Sequence, residues 1–420
     1  MSGFPAGRRI LCLSDSFGVP NGVRQAAYPQ AYTSTTGVLS VLQAISFGQF
    51  ICDIDLNFSV PGETSGQLLT RYPSDVASRY AIFDILWLDC GRNDADASKS
   101  DGDTTISNII AMASAATSND KLVFIFTPNP PRSTGISSDT QRKVRAYVNE
   151  QIREWCVTQP SVAYVDVWRD WVDPTSNAGV AASGILGDGL HPDIKGAVYG
   201  ARRVLTDLGL AFPLAPREQS AWDWYDSTNN PSGNLLGLRS LGLPRLAGTG
   251  GSILTFTGVL ADGLSLARAS GTGTEVVASK IAAEAGFESS GSDAQQLRIG
   301  PLSGSVAFNL VVDISVSPPS GVKGNRCYGQ YEVELQGVSG CTGLGLLLQY
   351  WDGTQNLGAI GLNNGTGSEM PWPDGKYLFR TPTLPIATSA QNLQLILFAA
   401  FNAGGTGQVR LMSPVIRPVY

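Results

Sequence analysis

Residues 10–18 read ILCLSDSFG. Four apolar residues in succession are followed at once by Ser14, Asp15 and Ser16, then by Phe17 and Gly18. A short, continuously apolar run suits a strand covered on both faces, as in a parallel sheet. Its abrupt polar end has two readings. Either the strand reaches the surface and turns, or it delivers a hydroxyl to a reaction site.

The same texture recurs up to about residue 211. Apolar runs at 9–14, 50–60, 83–89, 122–127 and 162–167 are predicted strands, and helix-like stretches lie at 37–45, 62–72, 104–116, 139–156 and 194–208. In DTQRKVRAYVNEQIREWC (139–156), Val144, Tyr147, Val148, Ile152 and Trp155 recur at helical spacing. Buried strands alternating with helices predict an α/β domain built on a parallel sheet. After Phe212-Pro213 the pattern changes. Residues 212–235 read as a linker, in which Trp222, Trp224 and Tyr225 are placed to pack against a neighbour. From 236 onward, short apolar runs at 253–257, 306–314, 331–335, 344–351, 393–401 and 407–420 are separated by Gly-rich turns. They predict an antiparallel, jelly-roll-like β-sandwich over 236–420, with one short helix at 277–285. The expected organisation is therefore 1–211, a linker at 212–235, and 236–420.

Composition narrows the function. A chain of 420 residues exceeds one ordinary core and favours two domains. With 43% apolar and 15% charged residues it is a folded, weakly charged protein. The 29 basic and 35 acidic residues give a net charge of −6, and no Lys/Arg cluster is present, which argues against nucleic acid as partner. No run approaches the roughly 18 apolar residues of a membrane span. The opening residues lack a secretory signal pattern, so export by another route is expected if the protein acts outside a cell. None of the six cysteines forms a Cys-x-x-Cys pair, which disfavours a structural zinc. Cys327 and Cys341 are candidates to meet across neighbouring strands, and their pairing is left open. The acidic stretch 93–103 carries Lys99 where a calcium loop of the EF-hand type needs Gly, and reads as a solvated loop. His191 is the only histidine, so a His-cluster metal site is ruled out, and no metal or organic cofactor is expected.

In open α/β sheets, ligands bind beyond the carboxyl ends of the strands. The first predicted strand delivers Ser16 there. The second is followed by Gly62, the third by Gly91, Asn93 and Asp94, and the loop before the last helix holds Asp188 and His191. A serine hydroxyl becomes a nucleophile when an imidazole takes its proton, and the imidazole needs a carboxylate to fix its tautomer. Asp188 and His191, three residues apart, are suited to that contact. The Gly62 and Ser16 N–H groups and the Asn93 amide are candidate donors to a developing oxyanion. Asp15 and Asp94 read as residues that hold their loops through bonds to backbone N–H groups.

SDSFG, NFSVPGETSGQLL (57–69), GRND (91–94) and DGLHPD (188–193) occur in this order. They resemble the four sequence blocks of the SGNH hydrolases, the GDSL esterases and acylhydrolases. The resemblance spans roughly residues 8–210, with Ser14 where the family usually has Gly. It implies a flavodoxin-like three-layer α/β/α sandwich with a five-stranded parallel sheet. It also implies Ser16 as nucleophile, His191 as general base, Asp188 as its orienting carboxylate, and Ser16, Gly62 and Asn93 as the oxyanion hole. The expected reaction is hydrolysis of O-acyl esters, foremost O-acetyl esters on a polysaccharide. The β half is read as a carbohydrate-binding domain, with Tyr350, Trp351, Trp372 and Tyr377 as exposed sugar-binding aromatics. A lipid acylhydrolase or thioesterase, and a phage-tail or adhesin protein that binds glycans, are the alternative readings. An extracellular or virion-associated location is expected. Homo-oligomerisation is left open, with a trimer expected for a phage-tail protein.

Overall fold

The computed structural model describes residues 7–22, 32–96, 102–126, 130, 138–176, 179–208, 225–230, 234–237, 249–281, 294–314, 317–362, 369 and 372–419. The loop 97–101, Trp222, Trp224 and most of the expected linker lie outside them.

The chain divides into two compact units, one of residues 1–25 and 36–215 and the other of residues 26–35 and 216–420. Strands β1 (Arg8–Ser14), β2 (Tyr32–Thr35), β3 (Phe50–Ser59), β4 (Ile85–Asp89), β5 (Leu122–Phe126) and β6 (Val162–Val165) come first in the chain. All but β2 form a parallel sheet in the order β3-β1-β4-β5-β6. Relative to the sequence reading, β2 is exchanged: it pairs in parallel with residues 358–361 and belongs to the second unit.

The helices of the first unit are α1 (Val38–Ile45), α2 (Ser65–Asp75), α3 (Arg92–Asp96), α4 (Asp103–Thr117), α5 (Asp139–Val157), α6 (Trp168–Trp171) and α7 (Ile194–Leu208). Local chemistry sets their starts. Ser138 caps α5 reciprocally with Gln141, whose N–H donates to Ser138 Oγ at 3.3 Å while the Ser138 N–H donates to Gln141 Oε1 at 2.6 Å. For α2 the Thr64 N–H donates to Gln67 Oε1 at 2.9 Å, so that helix starts at Ser65 and Gly62 lies in the preceding turn with φ of 80°.

Alternation along the strands divides the core. Leu11, Leu13, Leu86, Leu88, Val123 and Ile125 face one side and pack with Leu68, Ile109, Met112, Val148 and Ile152 from α2, α4 and α5. On the other side Trp87, Phe126 and Trp171 pack in sequence, tilted and then edge to face, with ring centroids 5.1 and 5.6 Å apart, and Trp171 Nε1 donates to Gly196 O in α7 at 3.0 Å. Helices therefore cover both faces, which is why β4 (ILWLD) is buried at every position. The result is a flavodoxin-like α/β/α arrangement. β3 and β4 lie on opposite sides of β1, so the chain order reverses between β1 and β4, and their carboxyl ends open the crevice.

The second unit is rich in β-structure. Its strands are β7 (Ser252–Leu254), β8 (Thr257–Gly258), β9 (Leu264–Gly271), β10 (Val276–Ile281), β11 (Ala294–Ile299), β12 (Val306–Ile314), β13 (Arg326–Trp351), β14 (Asn356–Gly361), β15 (Gly375–Arg380), β16 (Leu384–Pro385) and β17 (Leu393–Val419). With β2 they form one network of 12 strands. The expected strands at 331–335 and 344–351 are parts of β13, and those at 393–401 and, up to Val419, at 407–420 are parts of β17. These two long strands pair antiparallel along their length, with one register shift between Gln330 and Glu332 and others between Gln336 and Gly343. On either side of the latter they have different outer neighbours: β14 and β12 at one end, β15 and β11 at the other. The two ends fold toward each other, since a Cβ on Gly329 would overlap Leu395 and lie 3.6 Å from Leu348 Cβ at the opposite end. Strands that bend and switch between layers are a known way to close a two-layer β fold.

The helix expected at 277–285 is corrected. Residues 276–281 are strand β10, antiparallel to β11, with Val276 and Ala278 buried and Val277 exposed; 282–285 lie outside the described residues. Its small apolar residues follow a period of two once a partner strand is present. Cys327 and Cys341 lie in the same strand, and all six cysteines are free thiols. Among the described residues, no helix is long and apolar enough to cross a membrane.

Candidate active site

The carboxyl end of β1 turns sharply. The Gly18 N–H donates to Asp15 O and the Val19 N–H to Ser16 O, each at 3.3 Å, which leaves Ser16 half-buried at the turn's edge. Asn57, at the end of β3, donates from Nδ2 to Gly18 O and Gly22 O at 2.8 Å each. Gly18 is required by close approach: a Cβ there would overlap Ser59 Oγ and lie 2.8 Å from Ser14 Cβ. The backbone of the turn is thus held by β3 rather than by the side chain of Ser16.

Beneath the turn is a buried charge cluster. Arg92, at the start of α3, donates from Nη2 to Asp15 Oδ1 and to Asp89 Oδ1, both at 2.8 Å. Ser14 Oγ donates to Asp89 Oδ2 at 3.2 Å, and the Phe17 N–H to Asp15 Oδ1 at 3.0 Å. Burial pushes the Asp89 carboxyl upward, against the pull of Arg92. Burial opposes charge on Arg92 as well, but Asp15 and Asp89 outweigh it and hold the guanidinium charged. Arg92 Cζ lies 3.3 Å from the centroid of the Phe17 ring. The next block residue, Asp94, accepts from the Ser65 N–H at 2.8 Å and Ser65 Oγ at 2.6 Å, tying α3 to the start of α2.

Asp188 and His191 meet in the loop before α7. Asp188 Oδ1 accepts from the N–H groups of Leu190 and His191 at 2.8 and 2.7 Å, and Oδ2 lies 2.6 Å from His191 Nδ1. Partial burial opposes ionisation of Asp188, but the His191 ring and these two N–H groups prevail and hold the carboxyl down at about 2. An ionised carboxylate can only accept, so Nδ1 carries a proton, and in the neutral imidazole Nε2 then holds the lone pair. Nε2 is buried and has no hydrogen-bond partner. The imidazole lies beside the Ser16 turn, its centroid 5.3 Å from that of Phe17.

The expected oxyanion donors differ in their engagement. The backbone N–H groups of Ser16 and Gly62 have no protein acceptor among the described residues. Asn93 Nδ2 is occupied, donating to Glu63 O at 2.8 Å and to Asp15 Oδ2 at 3.3 Å. Among the described residues, no group of three or more His, Cys, Asp or Glu side chains is arranged to hold a metal ion.

Residues 27–198 match the model of the GDSL-like lipase/acylhydrolase family. Most of the matched residues belong to the first unit. The GDSL match includes Gly62, Asn93, Asp188 and His191 and begins after Ser16. The chain is also similar to three solved structures. One is a catalytic variant of an acetylxylan esterase from Geobacillus stearothermophilus, 17% identical over 51% of this chain and 99% of that chain, with a TM-score of 0.39. Another is a GDSL-like lipase from Bacteroides thetaiotaomicron, 18% identical over 48% of this chain and 87% of that one, with a TM-score of 0.36. The third is a lipase/acylhydrolase from Enterococcus faecalis, 18% identical over 48% and 95%, with a TM-score of 0.35. No curated protein matches the chain.

Three of the four expected sugar-binding aromatics are corrected. Tyr350 is 0% exposed, and Trp372 and Tyr377 are 4% exposed. Leu346, Leu348 and Tyr350 alternate inward along β13, while Trp372, Tyr377 and Phe379 form an internal ring cluster. Only Trp351, one step out of phase, keeps an outward face. Tyr225 is buried within the second unit. Arg92 escaped the sequence reading altogether. Its only signal was a lone arginine between Gly91 and Asn93 at the end of an apolar strand.

Proposed function

We propose that Ser16, His191 and Asp188 hydrolyse esters through an acyl-enzyme, and that the substrate is an O-acetyl group on a polysaccharide. The observation that carries the first part is the His191 imidazole. It is oriented through Nδ1 by an ionised carboxylate, and its other nitrogen is buried, unpartnered and beside the Ser16 turn. Ser16 Oγ attacks the acyl carbonyl while its proton passes to Nε2. Collapse of the tetrahedral intermediate breaks the ester bond, and His191 returns the proton to the leaving alcohol. Water then attacks the acyl-serine by the same route, releasing the acid and restoring the hydroxyl. The N–H groups of Ser16 and Gly62 are available to the oxyanion. Asn93 joins them by giving up its longer bond, to Asp15. Such donors are each worth about 10²–10³ in rate.

The polysaccharide part of the reading rests on the second unit. Trp351 is half-buried there beside polar groups: its backbone N–H donates to Asn392 Oδ1 at 2.7 Å, and Gln349 Nε2 donates to Gln394 Oε1 at 2.8 Å two positions back along β13. An aromatic face flanked by amides suits a sugar ring and its hydroxyls. The test is hydrolysis of p-nitrophenyl esters from acetyl to octanoyl by the wild type and by the Ser16→Ala and His191→Ala variants, followed by an O-acetylated xylan. Activity that is highest on acetyl, absent in both variants and present on the glycan is expected. Turnover surviving in Ser16→Ala overturns the mechanism, and a preference for octanoyl overturns the acetyl assignment.

A further inference from the structure

We infer that Arg92 positions the imidazole of His191 by clamping the Phe17 ring against it. The inference rests on His191 being the general base of the proposed esterase.

The groups form a continuous column. Asp15 and Asp89 fix the guanidinium at 2.8 Å each, the guanidinium carbon stands 3.3 Å from the Phe17 centroid, and the Phe17 ring meets the His191 ring at 5.3 Å with a 50° tilt. Every member below the imidazole is buried: Asp15 is 0%, Arg92 2% and Phe17 4% exposed. The carboxylate that orients His191 is different, because the Asp188 side chain is 59% exposed and belongs to a loop. A bond at Nδ1 sets the tautomer but leaves the ring free to tilt about that contact. Phe17 supplies the second point that fixes the plane, and therefore the direction of the Nε2 lone pair. Phe17 also directly follows Ser16, so one clamped ring sets the base against the nucleophile's own turn.

This accounts for an arginine in a place where stability alone does not call for one. A buried ion cluster is commonly no more stable than apolar packing of the same volume. What an apolar residue cannot supply is a planar cation that donates to two carboxylates at its edge while laying its face on an aromatic ring. Arg92 touches no reacting atom and acts through Phe17, as a positioning residue.

Because His191 is the only histidine, its Hε1 gives a single NMR signal in the full-length protein, and the Phe17 ring current marks that signal. Arg92→Lys keeps the charge and the donors but loses the planar face. It is expected to lower kcat on p-nitrophenyl acetate by about 10- to 100-fold, the usual cost of a misplaced catalytic group. KM should stay within about twofold, and the Hε1 signal should move. Phe17→Leu, which keeps apolar volume without the ring, is expected to lower kcat likewise; there the Hε1 signal moves through the lost ring current alone, so only kcat is read. Should Arg92→Lys fail to fold, Phe17→Leu decides by itself. Wild-type kcat in the folded variants overturns the inference, as does a fall in kcat of Arg92→Lys with its His191 signal unmoved. Ser16→Ala is assayed in the same series. Hydrolysis persisting there removes the esterase reading, whereas the Hε1 shift of Arg92→Lys still reports whether Arg92 holds the imidazole through Phe17.

Discussion

Replacing Asp188 by Asn tests the proposed base through geometry. In the wild type Oδ1 already accepts from the N–H groups of Leu190 and His191, and Oδ2 faces His191 Nδ1. In Asp188→Asn the amide oxygen keeps the two backbone donors, because turning the NH₂ group toward them would set donors against donors. The NH₂ group then faces Nδ1, which must become an acceptor, and the imidazole proton moves to Nε2. The base is thereby removed without deleting a heavy atom. A wrong tautomer of this kind costs about 10³–10⁴ in kcat, or about 4–5.5 kcal/mol of barrier at 1.36 kcal/mol per decade. Stability should hardly change, since both backbone bonds survive and the site is open to solvent. A loss of no more than about 1 kcal/mol corresponds to a Tm shift of about 2–4 °C for a unit of this size. Initial rates on p-nitrophenyl acetate, a thermal melt and ¹⁵N NMR of the single histidine measure all three quantities. A kcat within tenfold of wild type, or a proton still on Nδ1, refutes the reasoning.

Other outcomes follow from the same structure. Asp188 titrates at about 2, below its unfolded value, so its contribution to stability is complete above about pH 4 and is lost as pH falls through about 2. A ¹³C titration of its carboxyl that gave a midpoint at or above the ordinary aspartate value would contradict this. Gly18→Ala should destabilise the first unit by about 1–3 kcal/mol through overpacking against Ser59 and Ser14, with loss of esterase activity as the Ser16 turn shifts; an unchanged urea midpoint and unchanged rate would count against the close approach. Trp171→Ala should cost about 3–5 kcal/mol, because it empties a fully buried site and removes the bond to the Gly196 carbonyl, and urea denaturation reads this directly. In a pull-down with insoluble O-acetylated xylan, Trp351→Ala should weaken binding by Ser16→Ala protein, while undiminished binding would remove Trp351 from the sugar site.

Much of the first unit was legible in the sequence because the deciding signals are local. Short apolar runs such as ILWLD, alternating with helical patterns, suit strands buried on both faces, helical spacing from Val144 to Trp155 marks one helix, and chemistry placed at strand ends collects at one edge of a parallel sheet. The Asp188–His191 contact was legible for the same reason, since it closes within a single loop. Other features depend on partners far away in the chain. Arg92 reaches Asp15 across 77 positions, and only packing shows that its face rests on Phe17. Period-two alternation could not say which phase of β13 points inward, so Tyr350 and Trp351 were indistinguishable until the opposite layer was in place. Nor could the sequence show that Asn93 spends its amide on Glu63 and Asp15, or that Tyr32–Thr35 joins the sheet of the second unit. Sequence by itself determined the order of the main strands and helices of the first unit and the candidate reactive residues, through local periodicity and strand-end chemistry. Tertiary structure alone decided which faces are buried and which groups are already engaged, because burial and hydrogen-bond partnership belong to pairs of segments and not to either one.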